Sequence, residues 1–239
     1  MAAVAGVGER QATGSWDAAY ARGSPPWDIG RPQSAFVRLA DAGEIASPIL
    51  DSGCGTGEHA LLLATRGLNV LGIDLSPTAI RRAREKAAER GLTCEFQVGD
   101  VLALGGLRRR FRAVIDSGVF HTFDDRDRAR YVESLAAAVE NGGIVHLLAF
   151  SELTPGTEGP RRVTQAELRE AFADGWEVNR IDADQFDVRP DWTRVPPRAW
   201  LATIVRRRGG ATVSLIRWAP PKREPRNRCD QAPYLLLPS

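Results

Sequence analysis

The chain has little of several things that would place it elsewhere. Among 239 residues there are only three cysteines, Cys54, Cys94 and Cys229, widely spaced and odd in number. They indicate neither a disulfide framework nor a zinc ribbon, and they make a reducing cytoplasm the natural compartment. The three histidines, His59, His121 and His146, are scattered without ligand spacing, so no metal site is expected. No run approaches the roughly 18 apolar residues of a membrane span. The first fifteen residues lack a basic start and an unbroken apolar core, and Glu9 and Arg10 interrupt them, so residues 1–15 read as a disordered lead. A formal charge of +2 gives no global reason to invoke nucleic acid or a membrane. No second glycine-rich loop or repeat asks for another domain, and 43% hydrophobic residues is ample for one sizeable core.

What is present is a series of apolar segments, each closing on a carboxylate. Pro48 to Asp51 is a short buried-strand candidate, followed by Ser52-Gly53-Cys54-Gly55-Thr56-Gly57-Glu58 and a helical pattern from Ala60 to Ala64. The glycines allow a tight turn in which backbone lies directly against a ligand. Asp74 closes the strand candidate Asn69 to Ile73, placed 17 residues beyond Gly57, where a carboxylate can accept both hydroxyls of a ribose. Asp100 follows a third strand, Cys94 to Val98, and can accept from an exocyclic amine such as that of adenine. Together the three acids describe one face of a nucleoside-binding sheet. The nicotinamide fingerprint does not fit. Its third glycine would stand where Glu58 is, and Asp51 occupies a place where dehydrogenases carry an apolar strand residue.

Alternation continues along the chain. Ser76 and Pro77 read as N-cap and first helical residue, with Ala79, Ile80, Ala83 and Ala87 on one face until Gly91. Phe111 to Asp116 is a fourth strand candidate. A helix from about Asp127 to Glu140 carries Val132, Leu135, Ala136 and Val139 and is stopped by Asn141-Gly142-Gly143, after which Ile144 to Phe150 is a fifth strand. Thr164 with Glu167 forms a capping-box pattern ahead of Leu168, Ala171 and Phe172, and strand candidates follow at Trp176 to Ala183 and Trp200 to Val205. Helices interleaved with apolar strands imply a parallel α/β sheet with helices on both faces.

Two segments stand outside this rhythm. Trp16-Asp17-Ala18-Ala19-Tyr20 and Gly23-Ser24-Pro25-Pro26-Trp27-Asp28-Ile29-Gly30-Arg31-Pro32-Gln33 are too aromatic for a disordered leader and too broken for one helix, so residues 16–44 form an ordered lid. Asp28, Arg31 and Gln33 on it either bind an acceptor or cofactor, or cap turns. Arg161 and Arg162 either border a substrate mouth or face water, the second being the stronger expectation. Residues 209–239 mix Lys222, Arg223, Arg226 and Arg228 with Pro220, Pro221, Pro225 and Pro233, a basic tail expected to be solvated or loosely docked. Within it, Ala211 to Trp218 is a strand candidate competing with Trp200 to Val205 for the last place in the sheet.

The pattern D-x-G-x-G-x-G from Asp51 to Gly57, with the two later acids, resembles the class I S-adenosylmethionine-dependent methyltransferases from about Trp16 to about Arg208. The run P-P-W-D-I-G-R-P-Q at 25–33 resembles the N-terminal cover of the small-molecule methyltransferases related to thiopurine methyltransferase, most closely the mycobacterial-type enzymes that methylate benzoquinones and heterocyclic toxins. The resemblance implies a Rossmann-like, seven-stranded, mostly parallel sheet whose last strand is antiparallel, and S-adenosylmethionine as methyl donor. It implies cofactor contacts from Tyr20, Trp27, Asp51, Gly53, Gly55, Gly57, Asp74, Leu75, Asp100, Val101 and Ser117, with Trp27 packed over the cofactor and Tyr20 near its carboxylate end. His121 would accept a proton from a phenol or orient the acceptor, or else only hydrogen-bond a neighbouring loop, while His59 and His146 are structural. The implied reaction is methyl transfer to oxygen, sulfur or nitrogen of a small aromatic, heterocyclic or quinoid molecule. A thiol or halide methyltransferase and a noncatalytic nucleoside-binding protein are the alternatives, and neither nucleic acid nor membrane is an expected partner.

Overall fold

A computed structural model describes residues 13–156, 159–189, 191, 193 and 195–208. The basic tail and its strand candidate Ala211 to Trp218 lie outside the described residues, as do residues 1–12 of the expected disordered lead; its last three residues, 13–15, are instead helical, opening the segment Thr13–Ala21.

Seven strands form one sheet: β1 (Ile49–Ser52), β2 (Val70–Asp74), β3 (Glu95–Val98), β4 (Phe111–Ser117), β5 (Val139–Phe150), β6 (Trp176–Gln185) and β7 (Arg198–Arg206), in the order β3-β2-β1-β4-β5-β7-β6. The first five run parallel, and β7 is antiparallel to both β5 and β6. The expected mostly parallel sheet whose last strand along the chain is antiparallel is therefore the observed one, with that strand seated between β5 and β6. The order reverses between β1 and β4, and at such a switch point the loops leaving the carboxyl ends diverge and open a crevice. Register places Ser52 beside both Ile73 and Asp116, and Asp74 beside Val98, so the loops carrying the candidate acids leave the same edge.

Both faces are covered because successive strand residues point to opposite sides. Leu50, Leu71, Val114 and Leu147 meet Tyr131 and Leu135 of α5 (Asp125–Ala138) and Leu168 of α6 (Gln165–Ala171). Ile49, Val70, Ala113 and Leu148 meet Phe36 of α2 (Ser34–Asp41), Leu61 of α3 (Glu58–Thr65) and Ile80 of α4 (Pro77–Glu89). Each fully buried Leu, Ile or Phe contributes about 1.5–3 kcal/mol. Local signals decide several ends: the Ser76 side chain accepts the Ala79 N–H with Pro77 first in α4, and the Thr164–Glu167 capping box opens α6.

One boundary differs from the sequence pattern. α5 starts at Asp125, capped by Asp124, and ends at Ala138 rather than Glu140. Val139 pairs with Phe111 in the sheet and is fully buried, so tertiary pairing of a β-branched residue overrides the helical periodicity. Asn141-Gly142-Gly143 then serves an irregularity inside β5, where pairing steps from Phe111↔Val139 to Ala113↔Ile144.

Candidate active site

The loop after β1 is shaped by close neighbours. Gly53 has φ +68°, and a Cβ there would lie 2.2 Å from Val119 Cγ2; one on Gly55, at φ +54°, would lie 2.7 Å from the Tyr20 hydroxyl. Nothing but glycine fits either place without displacing the residues behind it. Asp74 holds the loop from the adjacent strand: Oδ2 accepts the Gly55 N–H at 2.9 Å and Oδ1 the Ser76 N–H at 2.8 Å. Burial raises its carboxyl above the ordinary range, opposed by those two amides. Asp100 caps the 3-10 turn Val101–Leu107, its Oδ1 accepting from Leu102 N at 2.9 Å. Leu75 is half-buried beside Asp74, Val101 is buried, and Ser117 ends β4 half-buried.

Asp51 is almost wholly buried beneath the loop. Its Oδ2 accepts the Ala60 N–H at 3.1 Å, while Oδ1 has no partner. Burial pushes it up to about 8, and the neighbouring Asp74 and Asp116 add to the rise. An unpartnered buried carboxylate next to a glycine loop is the counterpart of a cation, and S-adenosylmethionine brings an ammonium. The residues present therefore fit this donor. Pairing needs Asp51 ionised, so at pH 6 binding of S-adenosylhomocysteine should release about one proton, and affinity should rise with pH until about 8. Calorimetry in buffers of different ionisation enthalpy reads that proton; Asp51→Asn should release none, and zero release from the unaltered protein would exclude the pairing.

The cover begins with α1 (Thr13–Ala21), from which Asp17 accepts both Ser76 Oγ–H at 2.6 Å and the Thr78 N–H at 2.9 Å at the start of α4. Tyr20 is buried, and its hydroxyl accepts the Trp27 indole N–H at 3.0 Å. Trp27 stands edge-on to Trp16 and Tyr20 and keeps 46% of its surface exposed. Thr56 Oγ–H donates to Asp28 at 2.9 Å, and Lys86 bridges Thr56 and Glu58. Arg31 and both polar groups of Ser34 donate to the Asp187 carboxylate, while the Gln33 amide exchanges two hydrogen bonds with the Asp187 backbone, at 2.7 and 3.0 Å. Arg189 reaches the Ser24 carbonyl at 3.1 Å, and Arg38 pairs with Asp184. Asp28, Arg31 and Gln33 are thus engaged in holding the cover to the loop after β1 and to the segment after β6. His59 takes part as well, its Nε2 accepting the Gln33 N–H at 3.1 Å, whereas His146 lies in β5 beside Thr203 and the Glu44 carbonyl.

The 3-10 turn Phe120–Thr122 brings His121 into a cluster with Phe150 and Phe186, ring centroids 4.9 and 5.6 Å away. Asp116 positions that turn, its two oxygens accepting the Val119 and Phe120 N–H groups. Arg161 and Arg162 do not simply face water. Arg161 pairs with Asp125 and Glu167; Arg162 donates to the carbonyls of Thr154 and Pro160 and lies over the Phe150 ring. Sequence reasoning missed Phe150 and Phe186 as neighbours of His121 and Asp187 as the anchor of residues 31–34. Aromatic residues at the ends of β5 and β6, with an acid next in line, were the signal available. Among the described residues there is no cluster of His, Cys, Asp or Glu able to hold a metal ion, and no helix long and apolar enough to cross a membrane.

Strand order, switch point and glycine loop with its acids define a Rossmann-like class I methyltransferase. A family model described as a methyltransferase domain matches residues 49–143. The sequence is 39% identical over 160 residues to the 2-heptyl-1-hydroxyquinolin-4(1H)-one methyltransferase of Mycobacteroides abscessus, covering 66% of this chain and 70% of that protein. A solved structure described as "Conversion of a Disulfide Bond into a Thioacetal Group during Echinomycin Biosynthesis" is 38% identical with a TM-score of 0.76, covering 84% and 95% of the two chains. The magnesium protoporphyrin IX methyltransferase of Synechocystis PCC 6803, with SAH bound, shares the fold at 24% identity and a TM-score of 0.57, covering 72% and 80%. The chain belongs to the S-adenosylmethionine-dependent methyltransferase family, and S-adenosylmethionine is its methyl donor.

Proposed function

We propose that the protein transfers a methyl group to an oxygen, sulfur or nitrogen atom of a small aromatic, heterocyclic or quinoid acceptor held against His121 beneath the N-terminal cover. The observation that carries this reading is the aromatic enclosure of His121 by Phe150 and Phe186 at the carboxyl edge of the sheet, with Ser34 of the N-terminal segment fastened to Asp187, the residue after Phe186. The hydroxyquinolone substrate in the relative's name supports it. In this reading the Gly53–Gly57 backbone and the Asp74 carboxylate hold the amino acid and ribose, Asp100 takes the adenine amine, and Asp51 takes the ammonium. Leu75, Val101 and Ser117 flank the donor, and Tyr20 and Trp27 close over it.

The bound sulfonium supplies an already activated methyl. What remains for the chain is to align the nucleophile and to exclude water, which the cover and the aromatic wall do. Residues 16–208 act as the methyltransferase unit, with residues 16–44 as lid. The working place is a reducing cytoplasm, the partner is the small acceptor, and neither nucleic acid nor a membrane takes part.

At about 100 times its dissociation constant, S-adenosylmethionine or S-adenosylhomocysteine should raise the melting temperature by on the order of 5–10 °C, with no effect from NAD. Mass spectrometry of a panel of hydroxyquinolones, phenols, quinols, thiols and halides then identifies the acceptor. Methylation confined to aliphatic thiols or halides would replace the aromatic reading with the thiol or halide one; a melting shift without product from any acceptor would leave a nucleoside-binding protein.

A further inference from the structure

His121 is held in one tautomer. Its Nδ1 accepts the Phe150 backbone N–H at 3.0 Å, and a neutral imidazole has one acceptor and one donor nitrogen, so its proton sits on Nε2. That nitrogen faces Gly118 at the end of β4, where a Cβ would stand only 3.1 Å away. Glycine there keeps a side chain from closing on Nε2, and His121, otherwise buried, retains 4% of its surface exposed.

The surroundings disfavour a second proton on the ring. Phe150 and Phe186 enclose it, Arg128 and Arg162 stand nearby, and burial with these two cations pushes His121 down to about 3. Arg128, on α5, is itself buried over the Phe120 ring, shares the Glu167 carboxylate with Arg161, and has Nε and Nη2 without partners. The acids of the neighbouring elements are engaged. Asp116 on β4 holds the Val119 and Phe120 amides and is raised by burial to about 7. Glu152 after β5 accepts the Trp200 indole at 2.6 Å, and Asp187 after β6 accepts from Ser34 and Arg31. Asp125 also pairs with Arg161, so Arg128 and Arg161 balance Asp125 and Glu167 in charge, but Arg128 keeps two buried N–H groups without an acceptor, and such donors near a fixed N–H favour a negative charge in that place.

We propose that His121 acts as a neutral hydrogen-bond donor through Nε2–H to an acceptor that enters already ionised, and that Arg128 and Arg162 select this anion; the proposal rests on the methyltransferase reading above. The acceptor class is then acidic hydroxyaromatics, N-hydroxy heterocycles and thiols that lose their proton to water before binding. In the transfer, the anion's electron pair forms the bond to the methyl carbon while the C–S bond breaks and its pair returns to sulfur. No proton passes to the enzyme.

The test compares two phenols of similar shape and different acidity, following single-turnover kcat/KM from about pH 5 to 9. The rate should climb tenfold per pH unit up to each phenol's own pKa and then level, so that the inflection moves with the acceptor. His121→Gln, which keeps an N–H donor, should stay within about tenfold of the parent with the same inflection, whereas His121→Phe should lose about a hundredfold or more. A rate that is flat across this range for the weakly acidic phenol, or equal losses for Gln and Phe in variants that still bind the donor, would overturn the proposal and make His121 a base or a packing residue. If neither variant binds the donor in calorimetry, the two-phenol profile of the parent decides alone. No turnover of either phenol, with the donor bound, would overturn the acceptor class itself and this proposal with it.

Discussion

Gly53→Ala should lower the melting temperature by roughly 5–15 °C and strongly weaken donor binding. Two separable costs add. An alanine at φ +68° costs about 1–2 kcal/mol of backbone strain, and its Cβ, 2.2 Å from Val119 Cγ2, adds overpacking of about 1–3 kcal/mol because a β-branched neighbour has few rotamers to retreat into. In a domain of this size each kcal/mol moves the midpoint by about 2–4 °C. The double variant Gly53→Ala/Val119→Ala should recover the overpacking share and leave the strain, a positive coupling readable in a mutant cycle. A single variant melting like the parent would mean that the loop is not packed against the turn after β4.

Asp74→Ala should weaken S-adenosylmethionine by roughly 2–4 kcal/mol, about 30- to 1,000-fold, if both ribose hydroxyls donate to this carboxylate. The structure adds a second effect, because the same oxygens hold Gly55 N–H and Ser76 N–H. The alanine variant should therefore also lose about 1–3 kcal/mol of stability from buried amides left without an acceptor. Asp74→Asn keeps one acceptor oxygen for the loop while removing the charge, so it should melt closer to the parent yet still bind the donor poorly. Unchanged donor affinity in folded Asp74→Asn and Asp74→Ala would remove Asp74 from the cofactor site.

The readable parts of this fold were those that neighbouring residues decide. Ser76-Pro77 and Thr164 with Glu167 carry their own caps, and the β1, β2 and β4 segments are short apolar runs buried on both faces, which look alike in any parallel sheet. The end of α5 was not readable. Its apolar spacing continues helically through Val139, and only Phe111, nearly thirty residues earlier, draws that residue into the sheet. The cover divides in the same way. Aromatic and proline density set it apart in the sequence, whereas the partners of Asp28, Arg31 and Gln33 are Thr56 and Asp187, which no local pattern announces. The His121 enclosure was half legible, since the ring's place after β4 could be anticipated but the Phe150 amide that fixes its tautomer could not.

The fastening of the cover also sets an order of assembly. Its contacts with the segment from Asp184 to Arg189 join residues 146 to 165 positions apart. Closing loops of that length costs conformational entropy that local contacts do not, so such contacts form late. During synthesis Ser24, Arg31, Gln33 and Ser34 emerge well before their partners Asp187 and Arg189, which appear only when β6 has been made. Asp17 can meet Ser76 and Thr78 once α4 has been made, whereas the stretch from Ser24 to Ser34 waits for β6, so one segment is fastened in two stages.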